Sequence, residues 1–541
     1  MRDVFFMTIG EKITKLRASA NISQEQLAEA LLVSRQSVSK WEMDQATPQC
    51  EKIIQLAEYF NISTDELLLD SIAVNPKNAN VKNQYFGTDG FRGEANVDLT
   101  SMQAYKVGRF LGWYYAKKEN RAGDRARIVI GKDTRRSSYM LEYSIVAGLT
   151  ASGADVYMLH VTTTPSVSYV TRCDEFDCGI MITASHNPFY DNGIKIVNRY
   201  GEKLEDSTTA LIEAYLDGNM SALGVSGADL PFALRSKIGC IVDYSSGRNR
   251  YIAYLIALAS HSYKHLKVGL DCANGAAWSI GKAVFSALGA QTYVIGAEPN
   301  GLNVNEECGS TKIDALCKLV KEKHLDVGFA FDGDADRCIA VDENGNVVDG
   351  DKILYVLAKR LQSRGILNHD TIVATVMSNS GLLESLNAAG IECVQTTVGD
   401  RYVYECMQKN DYSLGGENSG HIILKKYATT GDGILTALML AEELCDSKAT
   451  LSKLAEPVVL YPQFMKNVRV QNKSATLNDP AVQKEAERVE RLIGKKGRVL
   501  LRKSGTEPVV RIMTEAKTLE KCQEYAEMIY AVIKARGYCV E

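Results

Sequence analysis

The 541-residue sequence has no long apolar run, no paired-cysteine pattern and no large excess of one charge. No apolar stretch approaches the roughly 18–20 residues that span a bilayer. The N-terminal MRDVFFMTIG lacks the apolar core of roughly 7–15 residues that a secretory signal needs. The thirteen cysteines are scattered without repeated CxxC pairs, so we expect reduced thiols. These absences predict a cytoplasmic protein that has no membrane partner.

The charge balance excludes one class of partner and leaves another open. Lysine plus arginine number 62 and aspartate plus glutamate 66, which gives a net charge of −4. This value excludes electrostatic attraction of the whole protein to nucleic acid or anionic lipid, but it allows a local basic face. At roughly 100–200 residues per domain, the chain length predicts about three to five domains.

Residues 7–70 have the pattern of a small all-α domain. Apolar residues recur at helical spacing, and Ser23 and Ser34 are placed to cap the second and third helices. Two further helices are predicted at 50–59 and 64–69. The Asn-rich stretch 71–83 has no hydrophobic period and is predicted to be a linker.

From residue 84 onward, short apolar runs end in Gly, Asp or Ser clusters and alternate with amphipathic helices. This alternation predicts α/β layering with functional loops at the strand ends. Residues 461–541 differ, because three strands precede a final helix. Those strands are predicted at 468–471, 497–505 and 509–516, and the helix at 518–535.

The segment 183–188 (TASHNP) follows an apolar strand. A serine on a strand-end loop, Ser185, beside His186 suits nucleophilic or phosphoryl-carrying chemistry. The alternative is a surface turn, because Ser, Asn and Pro are all turn formers. The hexapeptide alone leaves both interpretations open.

The segment 332–337 (DGDADR) is also at a strand end. Asp332, Asp334 and Asp336 alternate along the loop and can converge on one hard cation, and Mg²⁺ prefers such oxygen ligands. Arg337 offers a fork of donors that suits a phosphate. A solvated acidic turn is the alternative, but carboxylates this close repel one another unless something binds them. We therefore predict a metal site.

Two more loops have polar residues of a kind that binds sugars and phosphates. In 416–421 (GENSGH), Glu, Asn, Ser and His can form a hydrogen-bonding rim for sugar hydroxyls, although an ordinary polar loop is the more common interpretation of such a segment. In 502–511, backbone N–H groups, hydroxyls and cations can cradle a phosphate, the alternative being a basic hairpin turn. Together the four loops suggest a phosphorylated serine, a metal, a sugar and a phosphate anchor.

The order of these loops resembles that of the α-D-phosphohexomutase superfamily, in which they come from four successive domains. The segment 86–93 (FGTDGFRG) is similar to the family's N-terminal motif, with Phe91 where Ile or Leu is usual. The segments 398–403 (VGDRYV), 416–421 and 430–433 (TGDG) resemble the phosphoglucosamine mutase branch. The resemblance covers about 85% of the chain. It implies three α/β domains and a smaller α+β domain, at 84–236, 237–343, 344–460 and 461–541.

The resemblance implies an intramolecular phosphotransferase that interconverts glucosamine 6-phosphate and glucosamine 1-phosphate through phosphoserine Ser185 and a 1,6-bisphosphate. One Mg²⁺ per active site is then held by Ser185, Asp332, Asp334 and Asp336, with Arg337 supporting the phosphoryl group. Either His186 or Lys195 transfers the proton. The implied substrate-binding residues are Arg92, Glu417, Asn418, Ser419, His421, Arg502, Ser504, Gly505, Thr506 and Arg511.

Two other functions stay open at this point. One is a mutase of glucose or mannose phosphate with an inert front domain. The other is a transcription regulator whose mutase portion only senses a sugar phosphate. The retention of Ser185, the three aspartates and the 502–511 loop argues against a pure sensor.

Residues 7–70 resemble the lambda-repressor-like helix-turn-helix family through 22–42, ISQEQLAEALLVSRQSVSKWE. The resemblance implies duplex DNA as a partner, with base and phosphate contacts from the second and third helices. Residues 1–70 carry 7 basic and 11 acidic side chains, so a single copy would bind weakly. A homodimer with locally basic recognition faces overcomes this weakness, and a protein-interaction module is the alternative. The implied DNA-binding residues are Gln24, Arg35, Gln36, Ser37 and Lys40.

Overall fold

The computed structural model describes residues 8–20, 22–60, 62, 67, 85–87, 89–118, 125–494, 496–504 and 509–540. The chain divides into two compact units, Met1–Asn83 and Gln84–Glu541, and each is described by itself. The linker predicted at 71–83 lies outside the described residues. In the part of the chain that is described, no helix combines the length and apolar character needed to cross a membrane.

The first unit is built from short capped helices around a small apolar core. Ser23 caps the second helix through a reciprocal capping box with Gln26, and Ser34 caps the third through the Ser37 N–H, as the sequence predicts. Of the helix predicted at 64–69, only Leu67 is described, and it is buried. Within residues 8–60, the part of this unit described almost without gaps, the helices are α1 (Ile9–Ser19), α2 (Gln24–Ala30), α3 (Arg35–Glu42) and α4 (Cys50–Phe60).

The second unit begins with a seven-stranded sheet in the order β1-β2-β6-β5-β3-β4-β7. Its strands are β1 (Phe86–Gly87), β2 (Gly90–Glu94), β3 (Arg127–Lys132), β4 (Asp155–Val161), β5 (Cys178–Ile182), β6 (Asp191–Asn198) and β7 (Ile241–Asp243). Its helices are α5 (Ser101–Lys118), α6 (Arg136–Ala151), α7 (Thr164–Cys173) and α8 (Asp206–Leu216). Every residue of β5 is buried, which explains its uninterrupted apolar run.

The second sheet has five strands in the order β12-β11-β10-β8-β9. These strands are β8 (Lys267–Asp271), β9 (Gln291–Ile295), β10 (Val327–Phe331), β11 (Cys338–Val341) and β12 (Val347–Val348). The helices before and between them are α9 (Ser245–Leu258), α10 (Ala277–Ala287) and α11 (Asp314–Lys323). β7 pairs with β4, and β12 pairs with β11. The first and second sheets therefore extend past the predicted boundaries at 236 and 343, because strands of two or three residues leave no apolar run in the sequence.

The third sheet has four strands in the order β14-β13-β15-β16 and shares one apolar core with the second sheet. Its strands are β13 (Thr371–Thr375), β14 (Glu392–Thr396), β15 (Leu414–Gly416) and β16 (Ile422–Leu424). Its helices are α12 (Gly350–Ser363), α13 (Ser380–Ala388), α14 (Asp400–Asn410), α15 (Gly433–Ser447) and α16 (Leu451–Ala455).

The last part is an antiparallel sheet in the order β17-β19-β18 with its own core. The elements are β17 (Gln463–Arg469), α17 (Lys473–Asn478), α18 (Pro480–Ile493), β18 (Arg498–Lys503), β19 (Val509–Glu515) and α19 (Leu519–Ala535). β17 begins five residues before the predicted strand at 468–471 (463 against 468), because its polar and apolar residues are mixed and only Val468 is buried. The predicted fold class, an all-α front domain followed by three α/β parts and an α+β part, is confirmed.

Candidate active site

The loop after β5 brings the Ser185 hydroxyl against the second sheet. Ser185 Oγ donates a hydrogen bond to Oδ2 of Asp332 at 2.6 Å and lies 3.5 Å from Nδ1 of His186. The serine side chain is only 1% exposed and its backbone φ is +54°, a left-handed conformation that few residues other than glycine adopt. The backbone N–H of Ser185 donates a hydrogen bond to Thr183 Oγ1 at 2.9 Å. The serine is therefore held in one defined position.

The three aspartates that follow β10 form a buried cluster. One carboxylate oxygen from each of Asp332, Asp334 and Asp336 lies within 4.8 Å of the others. Burial and the two neighbouring carboxylates raise the pKa of Asp332 well above its usual range. Oδ1 of Asp334 is buried and has no hydrogen-bond partner. This donor set fits a hard divalent cation, which would relieve both the repulsion and the unsatisfied oxygen.

Lys195 lies on β6, and its side chain contacts this cluster. Its Nζ is 2.8 Å from Asp334 Oδ2, 3.0 Å from Asp336 Oδ2 and 3.3 Å from Asp89 Oδ2. Burial alone would lower the pKa of Lys195, but the three carboxylates raise it above its ordinary value. The three carboxylates therefore favour the charged form of the ammonium.

His186 and Arg337 flank the serine at the half-buried edge of the site. Burial, followed by the positive charges of Arg337 and Arg92, lowers the pKa of His186 to about 4, so the imidazole is neutral near pH 7. The backbone N–H of Arg337 donates to Asp332 Oδ1 at 3.2 Å, and the guanidinium Nε of Arg337 lies 4.0 Å from Asp332 Oδ2. Arg92 binds Asp89 at the same edge.

In the loop after β15, Glu417 is half-buried and His421 is buried. Glu417 Oε1 accepts the Gly399 N–H at 3.1 Å, and Oε2 accepts the Ser419 hydroxyl at 3.3 Å. Asn418 is also half-buried. His421 is only 3% exposed, and its Nε2 accepts the Gly431 N–H at 3.0 Å. The carboxylate of Glu417 is thus pre-oriented, whereas His421 supports the loop from inside.

Three charged residues that were not among the predicted site residues lie between the 416–421 loop and the aspartate cluster. Lys203 Nζ lies 2.7 Å from Asp400 Oδ1 and 3.2 Å from Asp89 Oδ1. Asp400 Oδ2 in turn lies 3.5 Å from His421 Nε2. Asp89 and Asp400 belong to the segments FGTDGFRG and VGDRYV, so the motifs carried a signal for them, whereas Lys203 belongs to no motif.

The predicted phosphate loop begins at the end of β18. Arg502 and Arg511 stand directly opposite each other on β18 and β19, an arrangement of like charges that is unfavourable unless an anion lies between them. Burial and the charge of Arg511 lower the pKa of Arg502, whose Nε is buried without a hydrogen-bond partner. Ser504 is buried, and its carbonyl accepts from Lys473 Nζ at 2.8 Å; Lys473 was not predicted. Gly505 and Thr506 lie outside the described residues.

In the first unit, the predicted DNA-contacting residues differ in their availability. Arg35, Gln36 and Lys40 of α3 are exposed, and Ser37 is half-buried with its Oγ 2.9 Å from Ser34 Oγ. Gln24 Nε2 instead donates to Glu42 Oε2 at 2.7 Å, a carboxylate that also pairs with Arg17. The structure therefore leaves α3, rather than Gln24, as the available polar surface.

Comparison with known proteins assigns the second unit to a family. The phosphoglucosamine mutase of Lachnospira eligens is 59% identical over 457 residues, covering 84% of this chain and 100% of that protein. Four domain descriptions of phosphoglucomutase/phosphomannomutase match the chain: domain I at 83–222, domain II at 249–345, domain III at 349–461 and the C-terminal domain at 465–532. The chain belongs to the phosphohexomutase family. A helix-turn-helix description matches residues 13–67 of this phosphohexomutase.

Further relatives of the phosphohexomutase agree with this assignment. The phosphoglucosamine mutase of Bacillus subtilis is 46% identical over 452 residues, covering 84% of this chain and 98% of that protein. A phosphoglucomutase/phosphomannomutase family protein from Burkholderia thailandensis has a TM-score of 0.69 at 23% identity, covering 84% of this chain and 98% of the other. An N-acetylphosphoglucosamine mutase of Aspergillus fumigatus, solved with GlcNAc-6P and magnesium, has a TM-score of 0.59 at 19% identity, covering 84% and 96%. The two solved structures show the fold alone. The predicted enzyme class, a phosphoglucosamine mutase-like isomerase, is confirmed.

Proposed function

We propose that this phosphohexomutase interconverts glucosamine 6-phosphate and glucosamine 1-phosphate, and that Ser185 carries the transferred phosphoryl group. The observation that carries the proposal is the 2.6 Å hydrogen bond from Ser185 Oγ to Asp332, inside the cluster of three aspartates. It places a hydroxyl where a cation and Arg337 can neutralise phosphoryl charge. The relatives named phosphoglucosamine mutase support the amino sugar as substrate.

In the proposed reaction, the bond between phosphorus and Ser185 Oγ breaks as phosphorus bonds to a hydroxyl oxygen of the sugar monophosphate. The proton of that hydroxyl passes to a base. The 1,6-bisphosphate then turns over within the site, its other phosphoryl group returns to Ser185 Oγ, and the proton returns to the freed sugar oxygen. Such transfer depends on positioning and charge stabilisation more than on covalent chemistry by the protein.

His186 is better placed than Lys195 to be that base. Its imidazole lies beside Ser185 Oγ at the half-buried edge of the site, where a sugar hydroxyl can reach it. Lys195 Nζ is instead buried among three carboxylates. We therefore propose that His186 transfers the proton and that Lys195 holds Asp334 and Asp336 in place.

Mg²⁺ is the proposed cofactor, one ion per active site. Asp332, Asp334, Asp336 and the phosphoserine oxygens of Ser185 would hold it, and the buried unsatisfied Oδ1 of Asp334 supports this donor set. When bound, the ion supplies positive charge against the phosphoryl oxygens. For the phosphate that is not reacting, the proposed anchor is Arg92 with Arg502, Ser504, Gly505, Thr506 and Arg511.

Glucosamine 6-phosphate is expected to exceed glucose 6-phosphate and mannose 6-phosphate in kcat/KM by at least about tenfold, the ratio that roughly 1.4 kcal/mol gives. The reason is the charge of Glu417, whose pre-oriented carboxylate attracts a 2-ammonium group. Glu417→Gln keeps the shape and removes the charge, so it should reduce this ratio. The measurement is a side-by-side turnover assay of both proteins on the three sugar phosphates. A higher kcat/KM for glucose phosphate in the wild type would instead assign a phosphoglucomutase.

A second proposed function belongs to the first unit, which we propose binds duplex DNA through α3. The observation that favours it is the exposure of Arg35, Gln36 and Lys40 on the third helix of a helix-turn-helix. Because residues 1–70 are acidic overall, we propose that two copies of the chain act together, each contributing one recognition helix.

Deleting residues 1–83 is expected to leave kcat and KM within about twofold of the full chain, because every proposed catalytic residue lies in Gln84–Glu541. The same deletion should abolish DNA binding, and Arg35→Ala with Gln36→Ala should abolish it in the full chain. The measurement is a titration with DNA from the gene's own neighbourhood at fixed salt. Equal binding by all three proteins, or binding by none, would contradict the proposed DNA function.

A further inference from the structure

A buried arginine outside the site described above holds the backbone of the serine loop. Arg135 lies just before α6 and is fully buried. Its Nη2 donates to the carbonyl oxygens of Ser185 and Asn187, each at 2.9 Å. The other three donors of the guanidinium are used by Asp133 Oδ2 at 2.8 Å, the Asp191 carbonyl at 3.0 Å and the Pro188 carbonyl. All five N–H groups of the side chain are therefore committed, three of them to this loop and a fourth to Asp191, the first residue of β6.

A second residue reaches the same loop from the second sheet. The Asn305 amide, in the segment between β9 and α11, donates to the Ser185 carbonyl at 2.9 Å and to the Asn187 carbonyl at 3.1 Å. Gly333 packs against the same carbonyl, since a Cβ there would stand 2.5 Å from the Ser185 oxygen. Two parts of the chain thus hold the same two carbonyl groups.

We call these hydrogen bonds from Arg135 and Asn305 to the Ser185 and Asn187 carbonyls the clamp. They hold a backbone that is itself unfavourable, because Ser185 has a positive φ. A serine in the left-handed region is disfavoured and persists only where its surroundings fix it. The position of Oγ depends on that backbone, and a misplacement of about 1 Å can cost roughly a hundredfold in rate. Donors that fix the Ser185 carbonyl therefore also fix the direction of Oγ toward Asp332.

We propose that Arg135 and Asn305 are positioning residues for phosphoryl transfer: their shared hydrogen bonds to the Ser185 and Asn187 carbonyls hold Ser185 Oγ in its reactive direction. The proposal rests on the phosphoryl-carrying role proposed for Ser185. Because Asn305 follows β9 and Ser185 follows β5, the clamp also joins the first and second sheets at the point of transfer. Neither residue is among those proposed to bind the sugar phosphate.

Asn305→Asp tests the clamp with almost no change of shape. The amide donor becomes a carboxylate oxygen facing two carbonyl oxygens, so the clamp is replaced by repulsion. We expect kcat to fall about 10–100-fold with KM changed less than about threefold. The rate at which Ser185 is phosphorylated by glucose 1,6-bisphosphate, followed by intact-protein mass, should fall by the same factor. A residue that merely stabilises the fold would not produce this kcat-specific loss.

The matched control is Asn303→Asp, in the same segment. The Asn303 amide donates to the Glu298 carbonyl at 3.0 Å and does not bind the serine loop, so kcat is expected to stay within about threefold of the wild type. Arg135→Lys is the second variant, since lysine cannot supply the fork of donors, and it should lower kcat in the same way. Melting temperatures show whether each variant folds. If either Asn305→Asp or Arg135→Lys does not fold, the clamp is tested by the variant that does.

Two outcomes overturn the proposal: an unchanged kcat in folded Asn305→Asp and Arg135→Lys, or an equal loss in Asn303→Asp. If Ser185→Ala is inactive in the same assays, either outcome refutes the clamp alone and leaves the phosphoserine function standing. If Ser185→Ala is active, the proposed function itself fails.

Discussion

Ser185→Ala is expected to lower kcat by at least about 10³-fold, as removal of a covalent nucleophile does in other enzymes. Ser185 Oγ is the only atom that the substitution removes, and it is the proposed point of attachment of the phosphoryl group. Because serine and alanine differ by one small buried atom, no large cavity forms, and the fold should persist. The measurement is a coupled mutase assay together with the melting temperature of the variant.

Ser207→Ala is the control for that variant. Ser207 lies exposed on α8, so the same chemical change should leave kcat within about twofold. Turnover of Ser185→Ala near that of the wild type would remove Ser185 from the mechanism. A loss in both variants would point to a general effect of substitution instead.

Asp334→Asn is expected to reduce kcat by about 10²-fold or more and to raise the Mg²⁺ concentration at half-maximal activity. The change removes one anionic oxygen from the cluster and one of the three carboxylates that hold Lys195. Asp336 and Asp89 still hold the lysine, so the ammonium keeps its place. The measurement is activity against Mg²⁺ concentration after chelator treatment, with the Mg²⁺-induced shift in melting temperature as a second readout.

Asp314→Asn controls for the loss of one negative charge. Asp314 is exposed on α11 and lies outside the cluster. The activity of Asp314→Asn should therefore depend on Mg²⁺ concentration as that of the wild type does. Full activity of the chelator-treated wild-type enzyme would contradict the metal site. An Asp334→Asn variant with unchanged Mg²⁺ dependence would place the ion elsewhere.

The sequence could predict the reactive loops because each directly follows a short apolar strand. β5 leads into the loop of Ser185, and β10 leads into Asp332, so each loop lies at the carboxyl end of a strand, where α/β proteins place functional residues. The two strands belong to different sheets, and the meeting of the two loops is seen only in the structure. The alternation of carboxylates in DGDADR is likewise visible without a structure. For the three aspartates, local pattern was enough to predict a metal site. For Ser185 it left a surface turn open, and only the family resemblance favoured a phosphoserine.

The rest of the site depends on contacts that local pattern does not contain. Arg135 reaches Ser185 across 50 residues, and Asn305 reaches it across 120. Lys203 binds Asp400 across 197 residues of sequence, and nothing in the sequence around Lys203 distinguishes it from an ordinary surface lysine. His421 shows the same limit, because a polar loop motif does not reveal that this side chain points inward.

The most direct test of the central claim follows the phosphoryl group itself. Enzyme labelled at Ser185 with ³²P is freed of excess label and mixed in a single turnover with unlabelled glucosamine 6-phosphate and Mg²⁺. We predict that the label leaves the Ser185 peptide at least as fast as kcat and is recovered in glucosamine 1,6-bisphosphate and glucosamine monophosphate. Label that stays on the protein, that is released only as inorganic phosphate, or that resides on a peptide without Ser185 would contradict the account.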